Sequence, residues 1–367
     1  IEGLIRSPSY RPQFKVHWSL SLLGAAACLV IMFLINPAAT VAAAVVIGSV
    51  FLWLERREMR TAWGDVRRGV LLSLARSVLL RLKEDRPDPR NWRPHVLVLS
   101  GAPTSRWHLV QFASDLTHNR ALMTVATVLR TDSADARRSA ALERTIDEYL
   151  ERKGVQALVR VVKAGSPFEG AEHLAATYGM GSLVPNTFLL GASEEPRHRD
   201  AYCRTLGMLH ESRRNVVVLR HDPERGFGDR RRIDVWWGGL QKNGGLMMLL
   251  AYLLRTSLDW QGARVRVKLV VPDQGGAAAA RANLQTIIES LRIGAEAEVL
   301  VGARDRFPEI LARGSADADL VFLGLAAPGD VADFTAYYER LQTLAAALPT
   351  TAFVLAAEDL DFAEVLT

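Results

Sequence analysis

Three turns in this sequence place glycine and small polar residues where a strand would pass into a helix: Ser100–Ser105, Lys242–Gly245 and Pro272–Gly276. Backbone N–H groups at such turns, with the positive end of the following helix dipole, can hold an anion. None of the three is a complete P-loop or dinucleotide fingerprint, so ordinary strand-to-helix turns are the favoured interpretation. The cofactor-binding residues are therefore unknown, nucleotide binding is left open, and no bound cofactor is predicted.

The residue types that usually carry catalysis or metal binding are scattered. The 8 histidines include no H-x-x-x-H pair, and Cys28 and Cys203 lie far apart in the sequence. A zinc site needs clustered ligands, and a hydrolase elbow needs the G-x-S-x-G motif, which does not occur. We predict no catalytic residue, no metal ligand and no enzyme activity, and this cysteine usage is typical of a reducing compartment.

The distribution of charged residues argues against a nucleic-acid-binding protein. The chain has 45 lysines and arginines and 40 aspartates and glutamates, spread along its whole length. A nucleic-acid-binding domain needs a clustered basic face, so no nucleic acid partner is predicted. The pair Trp236-Trp237 is interpreted as core or interface packing, because aromatic side chains bury large areas.

The turns belong to an α/β pattern. Short β-branched or apolar runs alternate with amphipathic runs of helix length, which predicts a parallel sheet with right-handed crossovers. The predicted strands are His95–Ser100, Leu122–Leu129, Leu158–Lys163, Asn186–Gly191, Asn215–Arg220, Ile233–Trp237, Arg264–Val271, Glu296–Val301, Asp319–Leu323 and Thr351–Leu355. The predicted helices lie near 104–118, 134–153, 167–178, 197–212, 245–258, 275–292, 306–313 and 330–347.

The strands divide into two successive series. Pro185–Gly191 and Asp317–Gly324 occupy matching places, which suggests two related parallel-sheet halves joined through Asp222–Arg232. The order of elements in each half resembles that of universal stress proteins, a likeness of fold that does not fix an activity. Members of that family that bind ATP carry a glycine-spaced loop after a late strand, and Gly324–Gly329 lacks that spacing.

A long apolar stretch precedes the α/β pattern. No charged residue occurs from Trp18 to Leu54, and one helix of that length would be about 55 Å long against a hydrocarbon core of about 30 Å. The pair Asn36-Pro37 breaks the stretch near its midpoint, which predicts two helices, 17–35 and 38–55, joined by a tight turn. We interpret them as a transmembrane hairpin; a buried hairpin of a soluble protein is the alternative.

Charge sets the expected orientation of this hairpin. Arginines and lysines flank it on both sides while the turn is uncharged, so both ends are expected in the cytoplasm. These residues are Arg6, Arg11, Lys15, Arg56, Arg57 and Arg60. Small residues at 24–27 and 42–44 would allow close packing against missing helices or another subunit.

An amphipathic helix is predicted from Trp63 to Lys83, with apolar residues every four positions. It is expected to pack on protein rather than to lie on lipid, and prolines in 84–90 end it. The predicted domains are 1–57, the transmembrane hairpin; 58–90, the connecting helix and linker; 91–222, the first α/β half; and 223–367, the second half. Because the chain opens at Ile1 rather than Met, we expect the natural start to lie upstream.

Several segments resemble the cation-chloride cotransporter family of the amino acid-polyamine-organocation superfamily. Those resembling the eleventh transmembrane helix are Ser7–Lys15, Leu22–Ala25 and Val30–Asn36. Those resembling successive blocks of the cytosolic domain, in family order, are Asn91–Pro103, Pro185–Gly191, Ile233–Trp237 and Gly244–Leu254. The turn Asn36–Ala39 lacks the family's usual aromatic pair, and the short loop 222–232 is similar to that of prokaryotic members.

The resemblance implies the C-terminal portion of a secondary-active symporter that moves chloride with sodium, potassium or both. It implies a multi-pass protein of a bacterial or archaeal plasma membrane, with the α/β domain in the cytoplasm serving homodimerisation and regulation. The transported ions would bind in upstream helices, so no ion-binding residue is assigned to this fragment. The alternative is a membrane-anchored sensor whose stress-protein-like domain binds a nucleotide or another ligand.

Overall fold

The computed structural model describes residues 18–56, 63–84, 92–118, 120–130, 136–193, 195–238, 241–330 and 333–357. The chain forms two compact units, Ile1–Asp85 and Arg86–Thr367. The predicted basic flank of Arg6, Arg11 and Lys15, together with Arg57 and Arg60, lies outside the described residues. The same holds for the segment Ser7–Lys15 and for the proline-rich linker.

The described part of the first unit, 18–56 and 63–84, contains three helices: α1 (Trp18–Ile35), α2 (Pro37–Arg56) and α3 (Trp63–Glu84). Asn36 alone separates α1 from α2, and its side-chain Oδ1 accepts a hydrogen bond from the N–H of Ala39 at 3.1 Å. Asn is a favoured N-cap and Pro suits the first helical position, so this pair starts α2. The predicted break at Asn36-Pro37 is confirmed.

The small residues at 24–27 and 42–44 were expected to pack against missing helices or another subunit, and this stays a prediction. Leu34 and Ile35 are 80% and 79% exposed, and no atom lies within 4 Å of a Cβ built on Gly24 or Gly48. Among the residues that the structure describes, no helix is long and apolar enough to cross a membrane. The membrane-spanning hairpin therefore stays a prediction.

The second unit contains the α/β pattern, and all ten predicted strands are present within one or two residues of their predicted ends. The strands are β1 (Val96–Leu99), β2 (Met123–Arg130), β3 (Leu158–Ala164), β4 (Thr187–Gly191), β5 (Asn215–Arg220), β6 (Arg232–Trp236), β7 (Arg264–Val271), β8 (Glu296–Val301), β9 (Leu320–Gly324) and β10 (Thr351–Leu355). The helices are α4 (Trp107–Thr117), α5 (Ala136–Arg152), α6 (Pro167–Thr177), α7 (Arg199–Glu211), α8 (Gln241–Arg255), α9 (Gln274–Leu291), α10 (Phe307–Gly314) and α11 (Phe334–Ala345). The mixed α/β fold is confirmed.

The strands form one sheet of 10 strands in the order β3-β2-β1-β4-β5-β10-β9-β6-β7-β8. Strands β1–β5, here called the first half, and strands β6–β10, the second half, each run in the order third, second, first, fourth, fifth. Pairing is parallel within each half, and β5 and β10 join the halves in antiparallel register. That antiparallel junction was not predicted.

Helices cover both faces of the sheet. Its strands have apolar side chains on both faces, so each face needs a layer of helices to bury them. Leu109, Ile146, Leu250 and Leu284 bring α4, α5, α8 and α9 onto one face. Residues of α6, α7, α10 and α11 pack on the other, with Tyr338 of α11 fully buried there. The crossovers leave the carboxyl ends of the parallel strands at one edge of each half.

Candidate functional site

A wide cleft opens in the second half at the carboxyl ends of β6, β7 and β9. It has a volume of about 1580 Å³ and is bounded by the start of α10 and one side of α11. Strand β6 pairs with both β7 and β9, so the chain changes winding direction here. Open α/β sheets bind ligands at such switch points, which makes this cleft the candidate site.

Aromatic side chains form much of the cleft. Trp236 at the end of β6 is only 4% exposed, and its ring meets Phe307 edge to face with centroids 5.9 Å apart. Trp237 is half-buried, and a Cβ on Gly244 would overlap its ring, so only glycine fits in that turn of α8. Both tryptophans line the cleft, and Trp236 also packs in the core, within the prediction of core or interface packing.

A buried ionic network lies beside Trp236 on the same side of the sheet. The fully buried Asp234 accepts hydrogen bonds from Arg266 Nε at 2.6 Å and Nη2 at 3.0 Å, and from Ser315 Oγ at 2.7 Å. Ser315 Oγ in turn accepts from the indole Nε1 of Trp236 at 2.9 Å. This chain of bonds holds the Trp236 indole to Ser315 and, through Ser315, to Asp234 of the same strand.

Lys268 completes the network. Its ammonium is almost fully buried, lies 3.6 Å from Asp234, pairs with Glu298 at 2.7 Å and donates to the carbonyl of Gly314 at 2.7 Å. Burial alone would lower the pKa of Arg266, but hydrogen bonds to Asp317 and Asp234 raise it above its ordinary value. Burial raises the pKa of Asp234 above its ordinary value, although the hydrogen bonds from Arg266 act to lower it. The bonds among these groups hold them in place beside the cleft.

The rim of the cleft carries charges. Arg304, Asp305, Glu339 and Arg340 line it, and all four are exposed. Glu339 is paired with Arg199 at 2.5 Å. Among the described residues, Arg304 and Arg340 form no ion pair, so two guanidinium groups on the rim are available to an acidic partner.

The three turns singled out for anions lie at strand ends, but each has a structural role. Lys242–Gly245 belongs to the first turns of α8, which begins at Gln241, so the prediction that it precedes a helix is wrong. Within it, Asn243 donates from Nδ2 to the Leu325 carbonyl at 2.7 Å and accepts from the Ala356 N–H at 2.8 Å. Its buried amide ties α8 to β10, which a helix-propensity argument could not foresee.

The other two turns are closed by their own side chains or backbone. Asp273 Oδ1 accepts from the N–H of Gly276 at 3.0 Å, so a carboxylate already occupies the start of α9. In the first half, the N–H groups of Ser105 and Arg106 bond to the carbonyl of Ala102 at 3.1 and 3.2 Å. Part of the N–H groups of each turn is thus bonded within the chain, and no side chain caps the start of α4 at Arg106.

Two histidines form the other notable titratable pair. His108 of α4 and His221 after β5 stack with centroids 4.2 Å apart and planes within 3°. Burial, then the neighbouring His221 and Arg106, lower the pKa of His108 to about 4, and burial lowers the pKa of His221. Within the described residues, no three His, Cys, Asp or Glu side chains gather as a metal site requires.

Neither the ionic network nor the cleft was predicted from the sequence. The available signal was the alternation of basic and apolar residues in Arg264–Lys268, which puts Arg266 and Lys268 on one face of a strand. Burial of that face, with Asp234 on the adjacent strand, depends on the register between β6 and β7.

Comparison with known proteins identifies relatives for the second unit. The family model of solute carrier family 12 matches residues 106–229 and 225–306, which together are more than half of the chain. The cytoplasmic domain of a prokaryotic cation chloride cotransporter superposes with a TM-score of 0.57 at 20% identity, covering 74% of this chain and 99% of that one. This superposition shows a shared fold.

Universal stress proteins give weaker likenesses. One from Archaeoglobus fulgidus matches with a TM-score of 0.49 at 14% identity, over 73% of this chain and 98% of its own. A putative one from Pseudomonas aeruginosa matches with a TM-score of 0.48 at 13% identity, over 74% and 96%. At these scores neither likeness bears on ligand binding by this chain.

Proposed function

The chain belongs to solute carrier family 12, a family of membrane transporters rather than enzymes, and we propose that it is the C-terminal part of a secondary-active cation-chloride symporter. In this proposal the α/β unit is the cytosolic domain and serves dimerisation and regulation of transport. The observation that carries the proposal is the family match, which falls on the α/β unit from α4 to the end of β8.

The first unit is proposed to supply the last two membrane helices, with residues 1–57 as a hairpin whose two ends face the cytoplasm. Support comes from the aliphatic side chains that α1 and α2 expose, among them Leu23 at 73% and Ile47 at 69%. Exposed surface of this kind needs lipid or other helices as cover. The transported sodium or potassium and chloride are proposed to bind in other helices of the transporter, so no ion ligand is assigned here.

Dimerisation is proposed to involve α3 together with the α/β unit. Val70, Leu74, Val78 and Leu82 recur every four residues on α3 and are 40%, 59%, 46% and 39% exposed. Such an apolar stripe is suited to pairing with another helix. A double change, Leu74→Glu with Val78→Glu, should shift the full-length protein from dimer to monomer in light scattering, whereas Arg76→Gln on the same helix should leave the dimer intact.

The cleft favours a second candidate, a membrane-anchored sensor whose α/β domain binds a nucleotide or another small ligand. A switch-point crevice lined by aromatic residues is the usual form of such a site. Under this alternative the protein would carry no ion flux of its own.

Ion flux separates the two candidates. Full-length protein containing this chain would be reconstituted into vesicles, and uptake of sodium, potassium or the potassium analogue rubidium would be measured with chloride inside and out or replaced by gluconate. The symporter proposal expects cation uptake that requires chloride, and vesicles holding only residues 1–367 of this chain as the matched control should show none. Uptake indifferent to chloride, or no uptake at all, would favour the sensor.

A further inference from the structure

A fully buried hydroxyl, that of Ser100 at the carboxyl end of β1, has no hydrogen-bond partner among the described residues. Side chains alternate across a strand, and Val96 and Val98 of β1 belong to the same core cluster as Leu109 of α4. Ser100 therefore points to the face of the sheet that α4 covers, at the end where α4 begins. Burying an unpartnered hydroxyl costs free energy, which an acceptor bound there would offset.

The guanidinium of Arg106 lies on the same face of the sheet. Strands β1 and β4 pair in parallel register, so Gly191 lies beside Ser100, about 4.8 Å away, one position after the last paired residues. A Cβ built on Gly191 would lie 3.5 Å from Arg106 Nη1 and 3.6 Å from Leu109 Cδ1. Arg106 Nη1 therefore lies over the end of β4, next to the position of Ser100.

The start of α4 supplies further donors. The N–H groups of Ser105 and Arg106 are bonded to the carbonyl of Ala102, but no side chain caps the helix. The next two N–H groups, of Trp107 and His108, form no hydrogen bond within the described residues. Two free N–H groups and the positive end of a helix of 11 residues thus lie at the end of the sheet where Ser100 is buried.

The charges around these donors favour an anion. Among the residues that the structure describes, Arg106 forms no ion pair. Burial, then His221 and Arg106, lower the pKa of His108 to about 4, and no carboxylate offsets them. Asp222 acts on the neighbouring His221, whose pKa is nevertheless lowered by burial. Arg106 and the helix dipole therefore dominate the potential at the start of α4.

The size and charge of the donor set select a small monovalent anion. Ser100 is fully buried, so the space at its hydroxyl suits a single ion rather than the body of an organic ligand. Arg106 supplies one full positive charge, and the helix start adds about half a charge. A halide balances this charge, whereas a phosphate dianion would bring more negative charge than these groups offer.

We propose that the Ser100 hydroxyl, the Arg106 guanidinium and the leading N–H groups of α4 bind a monovalent anion of the size of chloride. Binding there requires only groups of the α/β unit and no transport step, so it goes beyond the proposed function. In the proposed symporter, the site would make the stability of the α/β unit depend on the chloride concentration around it.

Unfolding in chloride tests the proposal on the full chain in detergent micelles. Urea unfolding would be measured at constant sodium concentration and ionic strength, with chloride replaced stepwise by gluconate. An anion that binds only the folded state stabilises it according to its occupancy. A Kd of about 10 mM predicts a folding equilibrium constant about sixteenfold larger in about 150 mM chloride than in gluconate.

Two variants and one control locate the effect. Ser100→Ala and Arg106→Gln should each weaken chloride binding about tenfold, which reduces the gain to about 2.5-fold. Arg144→Gln, at an exposed position of α5, removes one positive charge elsewhere and should keep the full gain. In gluconate Ser100→Ala should be at least as stable as the parent, because it removes a buried hydroxyl that has no partner.

The nuclear magnetic resonance line width of chloride gives a second readout. The parent and Arg144→Gln should broaden the chloride signal, and Ser100→Ala and Arg106→Gln should broaden it less. No gain in chloride, or equal gains in all four proteins, would overturn the proposal. A Ser100→Ala variant destabilised equally in chloride and gluconate would also overturn it, since the hydroxyl would then be a structural donor. Stabilisation by inorganic phosphate or ATP that chloride does not compete away would assign the turn to a phosphate group instead.

Discussion

The two halves of the sheet share a strand order but bury different chemistry on their central strands. Counting back from the matching glycines Gly191 and Gly324, the strand registers set Leu97 of β1 in the place of Asp234 of β6. The neighbouring strands then match Thr124 with Arg266. The same backbone positions hold uncharged side chains in the first half and a buried ion pair in the second.

The fold therefore does not require the buried charges of the second half, since the first half has the same strand order without them. In the first half Leu97 is fully buried among apolar residues, and Thr124 Oγ1 lies 3.2 Å from the Tyr178 hydroxyl. In the second half Asp234 holds Arg266 and Ser315, and Ser315 holds Trp236. Because a buried ion pair is weak grounds for stability, its presence next to the cleft suggests a positioning role for Trp236.

The comparison is tested most sharply by replacing the charged residues of the second half with the uncharged residues found at the matching positions of the first half. Asp234→Leu alone leaves Arg266 and Lys268 buried without that carboxylate and should lower the free energy of unfolding by about 3 kcal/mol. The triple change Asp234→Leu, Arg266→Thr and Lys268→Ala removes the orphaned cations and should recover at least half of the loss. Urea unfolding measures both, and a triple variant less stable than the single variant would contradict the comparison.

The burial of His108 in its stack with His221 should make the free energy of unfolding depend on pH. The pKa of His108 is lowered to about 4 in the folded protein against about 6.5 when unfolded, so the unfolded chain binds more protons between these values. Stability should therefore fall as the pH drops from about 6.5 to about 4, by up to about 3 kcal/mol. His108→Gln should flatten this slope in urea titrations at several pH values; an unchanged slope would assign it to other groups.

A change to alanine should destabilise the protein at Gly244 but not at Gly238, because only Gly244 is closely packed. Gly244→Ala sets a methyl group against the Trp237 ring and should cost about 1–3 kcal/mol as an overpacked contact. Gly238→Ala is the matched control, because no atom lies within 4 Å of its Cβ position. Thermal unfolding would compare the midpoint temperatures of the two variants, and equal midpoints would refute the tight contact at Gly244.

The smallest effect is expected for the bond that joins Trp236 to the network. Trp236→Phe keeps an aromatic ring but removes the donor to Ser315 Oγ, which should cost about 1 kcal/mol. Leu99→Val at the equivalent position of β1 is a control for a small change of volume. Denaturant midpoints would measure both, and a Trp236→Phe variant as stable as the parent would show that the indole bond adds nothing.

The elements were predictable from local pattern, whereas the site was not. Alternation of apolar runs with amphipathic ones located every strand, and Asn36-Pro37 located the helix break, because both signals are local. The junction of β5 with β10 joins residues more than a hundred positions apart, as in the pair Val218 and Phe353. The contact of Asn243 with Ala356 is also long-range, and the pairing of Arg266 with Asp234 depends on the register between β6 and β7. One sequence does not display either of them.

The α/β unit is proposed to serve a chloride-coupled transporter. The most direct measurement is cation uptake into vesicles by the full-length protein, compared with the same protein ended after Glu84, with chloride present or replaced by gluconate. We expect chloride-dependent uptake by the intact protein, and a marked loss of the uptake rate or of the dimeric state when the α/β unit is removed. Cation uptake by the intact protein at the same rate with and without chloride would rule out the proposed symporter.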